Sequence, residues 1–169
     1  MISKKFFFIA FLLQWLYVPS QVQKIVKILN RELQKEVKAQ QKDSSNYYGE
    51  RFEVIKQYRI KDTSDGNLNV LVLEIKKKDT YSNTYYTIQQ EIDLSKIKTI
   101  VKDINIIFGT EPNASKVTEV DENGKESIST GDMYFLNLSY EKKNERLANE
   151  LIQAFKKAGY SIKKEYWYD

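Results

Sequence analysis

Between Phe52 and Tyr140 the apolar residues of this chain recur at every second position, and on either side of that stretch they recur every third or fourth. A period of two belongs to a strand with one buried face, and a period near 3.6 to an amphipathic helix. The chain is therefore expected to build a sheet bracketed by two helices. The first helix spans 22–42, with Val22, Ile25, Val26, Leu29, Leu33 and Val37 on one face, and it dissolves into the turn-rich Asp43-Ser44-Ser45-Asn46.

Within the sheet region, 52–140, Phe52, Val54, Tyr58 and Ile60 alternate with Glu53, Gln57 and Arg59. Asp65-Gly66 signals a hairpin, and a β-prone run from Leu68 to Ile75 follows. That run ends in Lys76, Lys77 and Lys78, read as a solvated strand end that discourages edge pairing. A third strand, Tyr85 to Leu94, sets Tyr86, Ile88, Gln90, Ile92 and Leu94 on one face. Ser95 is expected to cap a helical turn through Ile97 and Ile100, before a short strand from Ile104 to Phe108. Asp121-Glu122-Asn123-Gly124 marks a second hairpin, and Met133 to Tyr140 a last strand. The second helix spans 143–158, with Asn144 as its cap and Gly159 as its stop. The tail, 160–169, adds an edge strand or folds back on the core.

Ahead of all this, residues 1–20 read as a cleavable export signal. Lys4 and Lys5 precede a thirteen-residue apolar stretch, Phe6 to Val18, interrupted by Gln14. That length is short of the roughly twenty residues a membrane span needs. Pro19 is expected to break the helix. Val18 and Ser20 sit three and one residues before a cut that leaves Gln21 first, and a glutamine there resembles exported Gram-negative bacterial proteins. N-terminal sequencing of the exported product is expected to begin at Gln21 or within a few residues. Intact Met1 in soluble cytoplasm would sink that reading.

The part from 21 to 169 has the length of one domain with one core. Its net charge is +2, since the chain carries 27 basic and 23 acidic residues and Lys4 and Lys5 belong to the signal. So small an excess gives no basic stripe for nucleic acid. The absence of cysteine excludes disulfides, thiol nucleophiles and thiolate metal sites, and the absence of histidine excludes a Ser-His-Asp triad and histidine-ligated zinc.

The fold class these elements define is α+β: an antiparallel curled sheet or barrel of six to seven strands with N-terminal and C-terminal amphipathic helices. The strand, the IDLSKIKTI turn, the short strand and the closing helix LANELIQAFKKAGY resemble, in order, the later part of pleckstrin-homology-like barrels, over residues 52–160. The resemblance implies a curled sheet plugged at one end by the C-terminal helix. It does not imply that superfamily's phosphoinositide site, because the matching loop, Lys61 to Asn67, carries Asp62 and Asp65 instead of a basic cluster. An open sheet with helices on one face, as in type III secretion chaperone-like domains, is the rival architecture.

Three constellations carry possible chemistry. Glu91 and Asp93 share a strand face, as a carboxylate pair for glycan hydrolysis requires. Asp121, Asn123 and Glu126 offer oxygens that suit calcium, although the loop lacks EF-hand spacing and reads as a hairpin turn. Tyrosine is abundant, and Tyr85, Tyr86, Tyr166, Trp167 and Tyr168 are the candidate binding residues, because an exposed aromatic stacks on sugars or anchors a protein partner. The resulting expectation is an exported, periplasmic or secreted, non-enzymatic binding or accessory domain. Its partner is a protein, peptide or glycan of the cell envelope; no cofactor, metal or nucleic acid is expected, and no membrane span after cleavage. The alternatives are a carboxylate-dependent envelope glycan hydrolase and an immunity-type protein that neutralises a secreted toxin.

Overall fold

A computed structural model of the chain describes residues 4–42, 47, 49–61, 69–79 and 82–168, with side chains from 21 onward. Helix α1 (Lys4–Lys42) leads into strands β1 (Phe52–Lys61), β2 (Val70–Lys78) and β3 (Tyr85–Asp93). A 3-10 turn (Leu94–Lys96) follows, then β4 (Ile97–Lys102), β5 (Ile106–Thr110), β6 (Ser115–Val120), β7 (Glu126–Gly131) and β8 (Met133–Phe135). Helix α2 (Arg146–Lys157) and strand β9 (Lys163–Trp167) complete the order. The α+β class and the two bracketing helices are as expected. The single curled sheet is not.

Two open sheets are present instead: an antiparallel one ordered β1-β2-β3-β6-β7 and a mixed one ordered β8-β5-β4-β9, in which β4 and β9 run parallel. The described strands number nine, not six or seven, and among them no ladder closes a barrel. The reason lies at the 3-10 turn. Asp93, not Ser95, caps it, accepting from the Ser95 N–H at 2.9 Å, and the turn swings the chain off the first sheet. Ile97 and Ile100 then continue as β4, which pairs with β5 and β9. The tail adds an edge strand, one of the two outcomes expected of it.

Smaller differences have local causes. Pro19 lies within the bounds of α1; its fixed φ is itself helical, and the helix forgoes one main-chain hydrogen bond there. Asn144 does not cap α2 with its side chain, which instead accepts from Lys102 Nζ at 3.0 Å. The last long strand stops at Phe135 because Asn137 adopts a left-handed φ of 50°. Gly159, at φ 88°, does end α2, and the Tyr160 N–H reaches back to the Phe155 carbonyl at 2.9 Å. The Asp121–Gly124 hairpin joins β6 to β7. The Asp43–Asn46 linker and the Asp65-Gly66 hairpin lie outside the described residues. Among the described residues no helix is long and apolar enough to cross a membrane.

The core lies between the sheets and the two helices. Ile25, Leu29 and Leu33 of α1 share one buried cluster with Leu71, Leu73 and Ile75 of β2, and Phe155 of α2 packs edge-on against Phe108 of β5, ring centres 5.5 Å apart. Tyr58 reaches from β1 into this core to donate to the Leu136 carbonyl at 2.6 Å. The outer face of the first sheet is a charged lattice in which Lys56 pairs with Glu74 and Lys61 with Glu91.

Candidate functional site

The first sheet is wider than the core beneath it. One row of cross-strand neighbours on its inner face runs Leu73, Gln90, Val117, Ser129, and burial falls away along it from none of Leu73 exposed to an open Ser129. Where the cover ends, a cavity of about 320 Å³ opens between this face and the β8 side of the second sheet. Phe52, Ile88 and Val117 give it apolar walls on one side and Phe135 on the other. Its polar lining is largely neutral: the amides of Gln90, Asn105 and Asn137 and the hydroxyls of Tyr47 and Ser139. Lys77 also lines it, paired with Glu50 at 2.5 Å.

Gln90 is the residue that distinguishes this cleft from a packing gap. It is 5 % exposed, it lines the cavity, and among the described residues its side-chain amide has no hydrogen-bond partner. Its amide atoms open on the cavity, so what satisfies them is whatever occupies that space, solvent or a ligand. Asn137 adds a second amide; its Nδ2 donates to the Phe135 carbonyl at 3.2 Å.

The wall carrying Tyr47 and Ser139 is held by α1. Glu32, Glu36 and Gln40 recur every fourth residue and form a buried polar stripe beside the apolar one. The Glu36 carboxylate, 3 % exposed, accepts from the Tyr47 hydroxyl at 2.5 Å, the Ser139 hydroxyl at 2.8 Å and the Tyr140 N–H at 3.0 Å. Gln40 accepts from the Phe52 N–H at 3.1 Å. Burial, together with the adjacent Glu36 carboxylate, pushes the Tyr47 phenol well above its ordinary value, so it remains a donor. Gly49 sits tight against this network: a Cβ there would lie 2.3 Å from Ser139 Oγ.

The expected binding residues are dispersed. Tyr85 and Tyr86 point to opposite faces of β3, with Tyr85 exposed under Lys76 Nζ at 4.7 Å and Tyr86 on the inner face against the core. Tyr166 and Tyr168 do come together at the edge strand β9, stacked 5.2 Å apart and exposed. Trp167, between them in sequence, turns inward and packs on the core, with Lys102 Nζ 5.8 Å from its ring centre. The lysine triplet splits as well: Lys77 is turned in toward the cleft, whereas Lys76 and Lys78 stay on the outer face.

Glu91 and Asp93 share the outer face but do not form a facing pair. Glu91 accepts from Lys61 at 2.8 Å and Gln89 at 2.7 Å, while Asp93 caps the 3-10 turn. Asp121 spends one carboxylate oxygen on the N–H groups of Asn123 and Lys125, both at 2.9 Å, which is turn geometry. Sequence reasoning passed over Gln90, Asn105, Asn137 and Ser139 as site residues. For Gln90 a signal existed: it is the single amide in the stripe Tyr86, Ile88, Gln90, Ile92, Leu94. Comparison with family models, with curated proteins and with solved structures finds no match for this chain.

Proposed function

We propose that this protein is an exported, non-enzymatic binding domain of the bacterial cell envelope whose ligand occupies the cleft between the two sheets. The observation that carries the reading is Gln90, a residue 5 % exposed whose amide opens on a cavity of about 320 Å³ and has no partner among the described residues. A cavity of this size is at the lower end for ligand sites, and its mixture of apolar wall and few polar groups is characteristic of them. Its amides and hydroxyls supply hydrogen bonds and recognition. Export is supported by the residues of the segment 1–20.

The test is crosslinking in intact cells with a photoreactive residue at position 105, at the mouth of the cleft. Capture of an envelope component is expected, and Gln90→Leu is expected to reduce it by about tenfold or more, the equivalent of one lost buried hydrogen bond. Thermal stability should hold or rise in that variant, because Leu matches its neighbours Leu73 and Val117. Equal capture by wild type and Gln90→Leu would remove the cleft from consideration.

A further inference from the structure

We infer that the ligand of this cleft is an extended peptide, which adds as a strand to the outer edge of β8, free among the described residues, and presents an amide to Gln90; this rests on the cleft being the binding site. The first support is the parity of the β8 ladder. Thr110 donates to the Asp132 carbonyl at 2.9 Å, Leu136 to Ile106 at 2.9 Å, and Ile106 to Leu138 at 3.0 Å. Residues 132, 136 and 138 therefore turn main-chain groups toward β5, and the alternation of an antiparallel pair turns those of Met133, Phe135 and Asn137 the other way. On that side β8 has no neighbouring strand among the described residues.

The second support is where this edge lies. Phe135 and Asn137 line the same cleft as Gln90, and one Asn137 amide N–H already caps the Phe135 carbonyl. Asn137 holds a left-handed φ of 50°, so local backbone strain sits beside the open edge. Strand addition uses these elements: main-chain donors and acceptors along an edge, and a pocket for alternate side chains. Met133 and Phe135, 50 % and 39 % exposed, share the face of β8 opposite the buried Tyr134 and offer apolar contact to the outward side chains of an added strand.

The third support is chemical match. A primary amide offers two donors and an acceptor, the complement of a peptide C=O and N–H or of an Asn or Gln side chain. A hydroxyl-rich sugar is the weaker fit, because the carboxylate lining the cleft, Glu50, is already paired with Lys77 and the exposed stacked tyrosines lie on β9 instead.

The experiment is affinity selection of a random, end-capped hexapeptide pool on the immobilised protein and on its Gln90→Leu variant. Chitotetraose is titrated separately, and the Gln90 side-chain amide is followed by NMR. The expected result is a set of peptides enriched on the wild type and lost on Gln90→Leu. Their binding should slow hydrogen exchange at the Phe135 N–H and weaken at least tenfold when alternate backbone nitrogens are methylated. Methylated peptides that bind equally well overturn strand addition. Chitotetraose shifting Gln90 with no peptide enriched overturns the peptide and keeps the cleft. Enrichment that survives Gln90→Leu, or no response to either probe, overturns both.

Discussion

Replacing Glu36 by leucine is expected to destabilise the protein by about 3–5 kcal/mol, a large part of the roughly 5–15 kcal/mol that holds a domain together. The size follows from what the carboxylate leaves behind. The Tyr47 and Ser139 hydroxyls and the Tyr140 N–H all donate to it, and two of the three donors sit in the cleft wall. Each buried donor without an acceptor costs about 1–3 kcal/mol. Glu36→Gln keeps one carbonyl oxygen and turns an amide N–H toward the same donors, so about 1–2 kcal/mol is expected. Urea unfolding measures both. For contrast, Glu150, which holds Arg31 at the surface between α2 and α1, should contribute less than about 1 kcal/mol. If Glu36→Leu costs no more than Glu150→Ala, the network is not what seats the wall.

Phe155→Ala is expected to cost a similar amount, about 3–5 kcal/mol, for an unrelated reason. The ring is fully buried, edge-on to Phe108 at 5.5 Å and to Tyr160 at 6.2 Å, so truncation leaves a cavity that the helix and both rings border. Alanine suits a helix better than phenylalanine, so propensity works against the loss by only a few tenths of a kcal/mol. The effect should also spread locally. Tyr160 leads into β9, so amide exchange across Lys163–Trp167 should quicken more than across β1 or β2. A loss below about 1.5 kcal/mol, the range of a tolerated core swap, would mean that α2 is not the lid of this core.

The limits of sequence reading show most clearly at residues 94–102. Leu94, Ile97 and Ile100 lie three apart and suit a helical turn, yet only Leu94–Lys96 is helical and the rest is β4. A six-residue segment whose apolar residues are Ile97, Ile100 and Val101 is compatible with either structure, and the decision came from partners remote in the chain, β5 and β9. The same holds for the tail. The sequence left edge strand and folding back as alternatives, and both occur: β9 pairs with β4, and Ile162 and Trp167 pack on the core. For the site, residue-type reasoning selected tyrosines for their stacking chemistry. What set Gln90 apart was the loss of cover along one row of neighbours, a property of the sheets and not of any residue.

By itself the sequence determined the periods, and with them the α+β class, the two amphipathic helices, the Asp121–Gly124 hairpin and the stop at Gly159. These depend on side-chain spacing and on local φ preferences, which a chain carries without knowing its partners. It also determined that no histidine or cysteine chemistry is available. The tertiary structure alone decided that the strands divide into two open sheets, that the lysine triplet sends Lys77 toward the cleft, and that Glu36 is buried among donors. It alone decided, too, that the Gln90 amide opens on a cavity at the edge of the core with no partner among the described residues. Each of these turns on which distant segments come together, and main-chain hydrogen bonding between strands is indifferent to sequence until side-chain packing chooses the pair.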